Sequence, residues 1–558
     1  MSTIAQEFRL TNDEKQMAAF EVISSTFVLQ ILNEAAATNA VRQATAAALE
    51  AEELSTVEDT RTVLKKLGAQ TQLKMFLTGA GGCGKSHVIY AARKFCHRFC
   101  QQAGIIFDKN TFFLTAYLGS AAAIWGGITT HAAAHMNKMR ITDAHLKEWE
   151  NVKILIVDEV SYFSKKDLET LDRRLRRLKR RADVQYGGVH IVFAGDLRQL
   201  EPVLAKPFYY EWSECWQGAL NCALMLQNNH RFKKDPEFGR LLGRIRSNTH
   251  TSADIEEINS RFIHEGSDLP DQKEEVCYAC STNKERNSVS EGIFKTCLEQ
   301  NPSVNSAEMP SDGVIVIEAV LKTNNTTATR NFHDAVFEIC GDAQIETDRK
   351  KRVDPALKWY PGIPLMITSN DDIKKGRANG SLCRGLNIKL KEGVVPRWKN
   401  YDGKKVTTVN VKDCEYMLCE HWKAKEKGQT PKKFKLKPEA DTYQLKMPMQ
   451  GHVIPFTVNV TQFGVISTIA TTGHKLQGMS KDNIIVTSWN YGSRNWIYVV
   501  LSRVRTLAGL HLLQKLKAAV DFSPHPKLLE EERRLKQLEE SFLSNGRQLP
   551  LHTGTAIY

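Results

Sequence analysis

The sequence predicts an α/β protein built on buried parallel strands, with a small all-β module set into its second half. Three observations predict it. Residues 76–86 run from an apolar strand end into a glycine-rich loop that opens a helix. The runs 153–158 and 190–195 are apolar on both faces and end in polar residues, the pattern of strands buried in a parallel sheet. Residues 376–454 instead carry short alternating stretches such as Thr407-Val-Asn-Val, punctuated by Gly376, Gly380 and Gly385.

At 558 residues the chain is too long for one core, so three or four domains are expected. A composition of 42% hydrophobic and 25% charged residues is that of a soluble globular protein. No run of eighteen apolar residues occurs and the N-terminus lacks a charged-then-apolar leader, so an intracellular protein with no membrane partner is expected. The formal charge of +13 favours a polyanionic partner, nucleic acid first. The twelve cysteines have no regular spacing. Cys277 and Cys280 lie in a strand-like stretch without a second pair, and Cys96, His97 and Cys100 share a helical stretch. Structural thiols are expected at both places.

Residues 8–20 read as capping residues followed by an amphipathic helix with Leu10, Met17 and Phe20 inward. The amide of Gln16 can both donate to and accept from an adenine edge. Residues 28–66 are rich in Ala and Glu at helical spacing and read as a helical insertion. Gly79-Ala80-Gly81-Gly82-Cys83-Gly84-Lys85-Ser86 then fits the phosphate-loop template at every fixed position. Its glycines let backbone N–H groups converge on phosphate oxygens, and the helix that follows adds its positive end. Lys85 supplies a mobile charge for the β- and γ-phosphates, and the Ser86 hydroxyl is a ligand for Mg²⁺. ATP and Mg²⁺ are therefore the expected cofactors.

Further along, small residues at 119–122 and the pair Gly126-Gly127 suggest a backbone that something approaches closely, with a packing turn equally open. Asp158 and Glu159 close a buried strand at the edge where parallel sheets bind ligands. Asp158 would hold Mg²⁺ through its water shell, and Glu159 would orient the attacking water. The basic run 172–181 keeps Leu171, Leu175 and Leu178 at helical spacing, so a solvated face, a DNA contact and a nuclear address all stay open. Gln199, at the end of the next strand, could sense a γ-phosphate. The strand-like stretch 220–226 reads as the entry to a second α/β domain, which makes Arg231 a candidate to reach the nucleotide. Residues 300–312 read as a loop, 465–480 return to the α/β pattern, and 527–543 form a charged helix that is either solvated or docked.

The order of these motifs resembles superfamily-one helicases and, within them, the RecD/Pif-like branch of DNA helicases, discontinuously from Leu10 to Leu513. Gln16 matches the adenine-reading motif and 79–86 the first helicase motif. Residues 115–122 with 126–131 match the DNA-contacting motif Ia, 158–161 motif II, 195–203 motif III and 229–231 motif IV. Residues 474–478 match motif V and 498–503 motif VI. Residues 365–385, with Asn370, Asn379 and Gly380, look like the branch's approach to a β-barrel insertion.

The resemblance implies two RecA-like parallel-sheet domains in tandem with a small SH3-like β-barrel inserted in the second. Its expected divisions are 1–220 for the helical segment and first domain, 221–375 and 455–520 for the second, 376–454 for the barrel and 521–558 for the tail. It implies that ATP is clamped between the domains, with Arg231 and Arg503 sensing the γ-phosphate and Gly478 at the nucleotide. Gly119, Thr130, His131, His474 and Lys475 would contact DNA. A monomer moving 5′→3′ on single-stranded DNA and opening forks is implied. Its setting would be a DNA-containing compartment, nuclear in a eukaryote, with replication or mobile-element proteins as candidate partners. Leu118, Glu201 and Leu476 depart from the family pattern without touching the hydrolytic set. A translocase without net unwinding, a loading subunit with a weak ATP site and an RNA substrate remain open alternatives.

Overall fold

A computed structural model describes residues 1–34, 72–202, 205–264, 276–300, 313–323, 355–369, 381–421, 432–449 and 452–544. The stretches 35–66 and 301–312, with Val203, Asn370, Asn379 and Gly380, lie outside the described residues.

Six parallel strands form the first sheet: β1 (Lys74–Gly79), β2 (Phe112–Ala116), β3 (Ile128–Thr129), β4 (Ile154–Asp158), β5 (His190–Gly195) and β6 (Cys222–Leu226), in the order β3-β2-β4-β5-β1-β6. Every residue of β1 and β5 is buried, as strands covered on both faces require. Register does the positioning. Thr78 lies opposite Gly195 and Ala116 opposite Asp158, so the phosphate loop and both polar strand ends leave the sheet at one edge. The stretch expected to open the second domain behaves otherwise. Strand β6 pairs with β1 from Met75↔Cys222 to Gly79↔Leu226, so the first sheet runs past residue 220.

Helices cover both faces. Glu14–Glu34 and Lys85–Gln102 pack on one side, burying Phe20, Phe27, Phe95 and Phe99. On the other lies Lys165–Leu178. Its N-cap Ser164 and Asp167 form a capping box, and Leu168, Leu171, Leu175 and Leu178 face inward. Its basic run is partly internal: Arg176 pairs with Asp172 at 2.8 Å, and the Lys179 ammonium donates to the carbonyls of Trp149 and Glu150 at 3.0 Å. The C-terminal helix Pro526–Ser544 returns to this domain and is docked, with Leu528, Leu535 and Phe542 buried in its two cores. Trp216 Nε1 donates to Glu531 Oε1 and the Met225 amide to Glu539 Oε1, both at 2.6 Å.

The second parallel sheet has four strands, in the order Ala470–Thr472, Val276–Cys280, Asn483–Val486, Leu510–Leu512. Cys277 and Cys280 are buried in it, and Cys96 and Cys100 in the helix of the first domain. The β-rich part is larger than the 376–454 expected. Strands Ile315–Glu318, Ala356–Trp359, Pro364–Ile367 and Val465–Ser467 join it, divided with the rest among three sheets around a core of Ile317, Trp359, Leu365, Met417 and Phe463. In Lys433–Leu436, alternation places Phe434 and Leu436 in that core and leaves Lys433 and Lys435 exposed. No helix among the described residues is long and apolar enough to cross a membrane.

Candidate nucleotide site

The loop after β1 is shaped by what crowds it. Gly82 and Gly84 have φ of +96° and +94°, a region that costs a side-chain-bearing residue. A Cβ at Gly82 would lie 2.5 Å from Arg231 Cβ, and one at Gly84 2.5 Å from Gln16 Nε2. A Cβ at Gly81 would come within 3.1 Å of Arg231 Nη1 and 3.2 Å of Arg503 Nη2. Glycine is needed here so that neighbouring side chains can close on the backbone. Lys85 Nζ donates to Gly79 O at 2.7 Å and Ala80 O at 3.3 Å, with Cys83 Sγ 3.8 Å away. Ser86 is exposed at the start of its helix.

Gln16 is buried against this loop, donating to Cys83 O at 3.2 Å and meeting His230 Nε2 at 2.9 Å. Asp13 fixes its helix start by accepting from the amides of Lys15 and Gln16 at 3.1 Å, and it holds Asn228 at 2.9 Å. From the far side, Asn229 donates to Gly81 O at 3.2 Å and the His230 amide to Gly82 O at 2.9 Å.

Two carboxylates face the loop from β4. Asp158 Oδ1 accepts from the Glu159 amide and Oδ2 from Trp125 Nε1, both at 2.9 Å. Burial raises its pKa above the ordinary carboxylate value, and the Lys85 charge opposes that rise. Glu159 sits at φ +55°, a left-handed conformation that non-glycine residues adopt at a cost. Burial, with Asp158 adjacent, pushes its carboxyl up to about 7.

Arg231 and Arg503 bring two guanidiniums to Gly81. Arg231 Nη1 donates to Ser502 O at 2.7 Å, and Arg503 Nη2 to Ser502 Oγ at 2.6 Å. Burial, with Arg503 beside it, lowers Arg231 to about 9, and burial lowers Arg503 as well. Gln199 is buried near Asp196, to which its Nε2 donates at 3.3 Å, while its Oε1 has no hydrogen-bond partner among the described residues. The donor set of Ser86 and Asp158, hard oxygens beside a cationic phosphate cradle, fits Mg²⁺ bound through waters.

Gly478 faces the second carboxylate: a Cβ there would lie 3.4 Å from Glu159 Oε1. The expected DNA-contacting residues divide. His131 and His474 are brought to one aromatic cluster, with Tyr117 5.1 Å from His131, Tyr162 6.2 Å from His474 and the two tyrosine rings stacked at 5.5 Å. Lys475 is exposed beside them and Gly119 is partly exposed. Thr130 is fully buried, and its hydroxyl meets Thr115 Oγ1 at 2.9 Å. The Thr130 hydroxyl is thus engaged in packing within the first domain. Two residues that sequence reasoning did not place in the site are central to it, Gln477 and Trp125. Gln477 entered only as a position within the motif V match at 474–478, without a role of its own; Trp125 carried no signal beyond preceding a glycine pair.

This arrangement defines a phosphate-loop protein in which a second parallel-sheet domain closes on the loop of the first. Residues 55–240 match the family described as PIF1-like helicase. The chain is 31% identical over 194 residues to the ATP-dependent DNA helicase PIF1 of Saccharomyces cerevisiae (strain YJM789), covering 32% of this chain and 22% of that one. It is 23% identical over 465 residues to ATP-dependent DNA helicase PIF1 of Danio rerio, covering 81% and 59%. The chain thus spans from about a fifth to three fifths of the length of these relatives. Its fold is similar to that of a Bacteroides Pif1 helicase in complex with ADP-AlF3 and ssDNA, with a TM-score of 0.59 at 20% identity over 88% of this chain and 98% of that one. It is also similar to Pif1 helicase from Candida albicans, with a TM-score of 0.58 at 20% identity over 86% and 99%. Over residues 55–240 the chain is thus similar to the PIF1-like helicases.

Proposed function

We propose that this chain is an ATP- and Mg²⁺-dependent DNA helicase that translocates 5′→3′ on single-stranded DNA and unwinds forks. One observation carries the reading: Arg231 and Arg503 converge on Gly81 of the phosphate loop, opposite the carboxylates of Asp158 and Glu159. Cations at that place would neutralise the charge that develops on a transferring phosphoryl group. Lys85 binds the β- and γ-phosphates, Gln16 reads the adenine, and Glu159 orients the attacking water with Gln199 beside it. Mg²⁺, held by Ser86 and Asp158, would neutralise phosphate charge. His131, His474, Lys475 and Gly119 are the proposed DNA contacts, and the polarity rests on the family resemblance.

The β-rich part is proposed to contain an SH3-like barrel. A DNA-containing compartment, a monomeric state, and replication or mobile-element partners complete the reading. Phosphate release by Lys85→Ala and Glu159→Gln tests it: both variants should fold and lose DNA-stimulated hydrolysis. Normal turnover in both would refute the assignment. A forked-duplex assay separates a helicase from a translocase without net unwinding.

A further inference from the structure

Trp125 lies outside the phosphate-binding residues, yet its indole N–H is aimed at the carboxylate proposed to hold the metal. The local backbone explains the aim. Gly127 presses against β2, where a Cβ would fall 2.2 Å from Leu114 O, and Gly126 takes φ +63°. The amides of Trp125 and Gly127 both donate to Ala122 O, at 3.1 and 3.0 Å. This tight turn places Trp125, 5% exposed, against Tyr90 of the phosphate-loop helix with ring centroids 4.8 Å apart. From there Nε1 reaches Asp158 Oδ2 at 2.9 Å.

We propose that Trp125 is a positioning residue that fixes the Asp158 carboxylate for the divalent cation. A buried carboxylate needs its oxygens satisfied, and a hydrogen bond from behind selects one rotamer while leaving lone pairs for water-bound metal. The Glu159 amide holds Oδ1 and the indole holds Oδ2, so the side chain cannot rotate without losing both bonds. Trp125 also belongs to the segment 119–131, which carries the proposed DNA contacts Gly119 and His131, so the metal carboxylate and that segment are tied by one bond. The inference rests on the reading of Asp158 as the residue that holds the metal.

The test is Mn²⁺ binding to the protein–ADP complex, followed by electron paramagnetic resonance, which needs no turnover. Trp125→Phe should weaken Mn²⁺ affinity roughly tenfold, the usual scale for removing a partner of a metal-binding carboxylate, with metal-free ADP affinity unchanged. Replacing Trp125 by its benzothienyl analogue, which keeps the shape and loses only the N–H, should do the same. Weakening by Trp125→Phe but not by the analogue would assign the effect to packing and overturn the inference, as would unchanged affinity in both. Asp158→Asn separates the two levels. If it also retains Mn²⁺, the metal reading itself fails; if it alone loses Mn²⁺, only the role of Trp125 falls.

Discussion

Gln477 donates its side-chain amide to Glu159 Oε2 at 2.7 Å, a hydrogen bond from the second domain to a carboxylate of the first. The same amide oxygen accepts from Tyr162 Oη at 2.9 Å and from the Leu200 amide at 3.2 Å. Gln477 is fully buried, so all three bonds are shielded from water. His474, three residues earlier, accepts from Tyr162 Oη through its carbonyl at 3.2 Å. One side chain therefore connects the carboxylate after β4, the turn after β5 and the loop proposed to meet DNA.

Gln477→Ala should lower the ATP turnover number roughly tenfold or more while leaving KM for ATP within about twofold, because it misplaces Glu159 without touching the phosphate cradle. Steady-state phosphate release against ATP concentration checks this. A rise in KM with unchanged turnover would place Gln477 in nucleotide binding instead.

Thr130→Val keeps the shape and removes the hydroxyl that meets Thr115. Stability should fall by about 1 kcal/mol, the usual net value of one buried hydrogen bond. Affinity for a single-stranded oligonucleotide, read by fluorescence anisotropy, should not change. A large loss of affinity in a stable variant would return Thr130 to the DNA interface.

His190 makes the first domain acid-sensitive. Its Nδ1 accepts from the Leu73 amide at 2.9 Å, and burial lowers its pKa from 6.5 to about 4. Between those values the unfolded chain binds a proton that the folded one refuses. Stability contributed by the neutral imidazole is thus full above the unfolded pKa and falls as pH drops from 6.5 towards 4. The loss is about 3 kcal/mol by pH 4. Urea unfolding across that range should show the slope, and His190→Gln should flatten it.

The docked C-terminal helix predicts a long-range stability effect. Leu535 is 1% exposed in the core that holds Trp216 and Phe193, so Leu535→Ala should cost about 3 kcal/mol. Thermal unfolding measures it. A variant as stable as the parent would mean the helix does not anchor the first domain.

The phosphate loop and the two carboxylates were legible in the sequence because each is a fixed spacing set against a strand or helix boundary, whereas Arg231 was only a candidate and Arg503 entered through the resemblance. The placement of β6 was not. An apolar run of five residues looks the same whether it closes one sheet or opens the next, and only pairing with β1 decides. The C-terminal helix was ambiguous for a related reason, since its charged composition hides Leu528, Leu535 and Phe542, which meet the first domain hundreds of residues away in the chain. The packing of the Thr130 hydroxyl against Thr115 was not legible either, because a motif position does not tell which way a hydroxyl points. Gln477 lay within the motif V spacing, but its bond to Glu159 could not be read from it, and Trp125, which acts through another side chain, left no spacing to read.

ATP hydrolysis with and without single-stranded DNA, titrated with salt, tests the central claim most directly. The account predicts strong stimulation by DNA that fades as salt rises, as phosphate contacts require, and its loss in Glu159→Gln. Hydrolysis indifferent to DNA at every salt concentration would contradict a DNA motor and leave only the nucleotide chemistry standing.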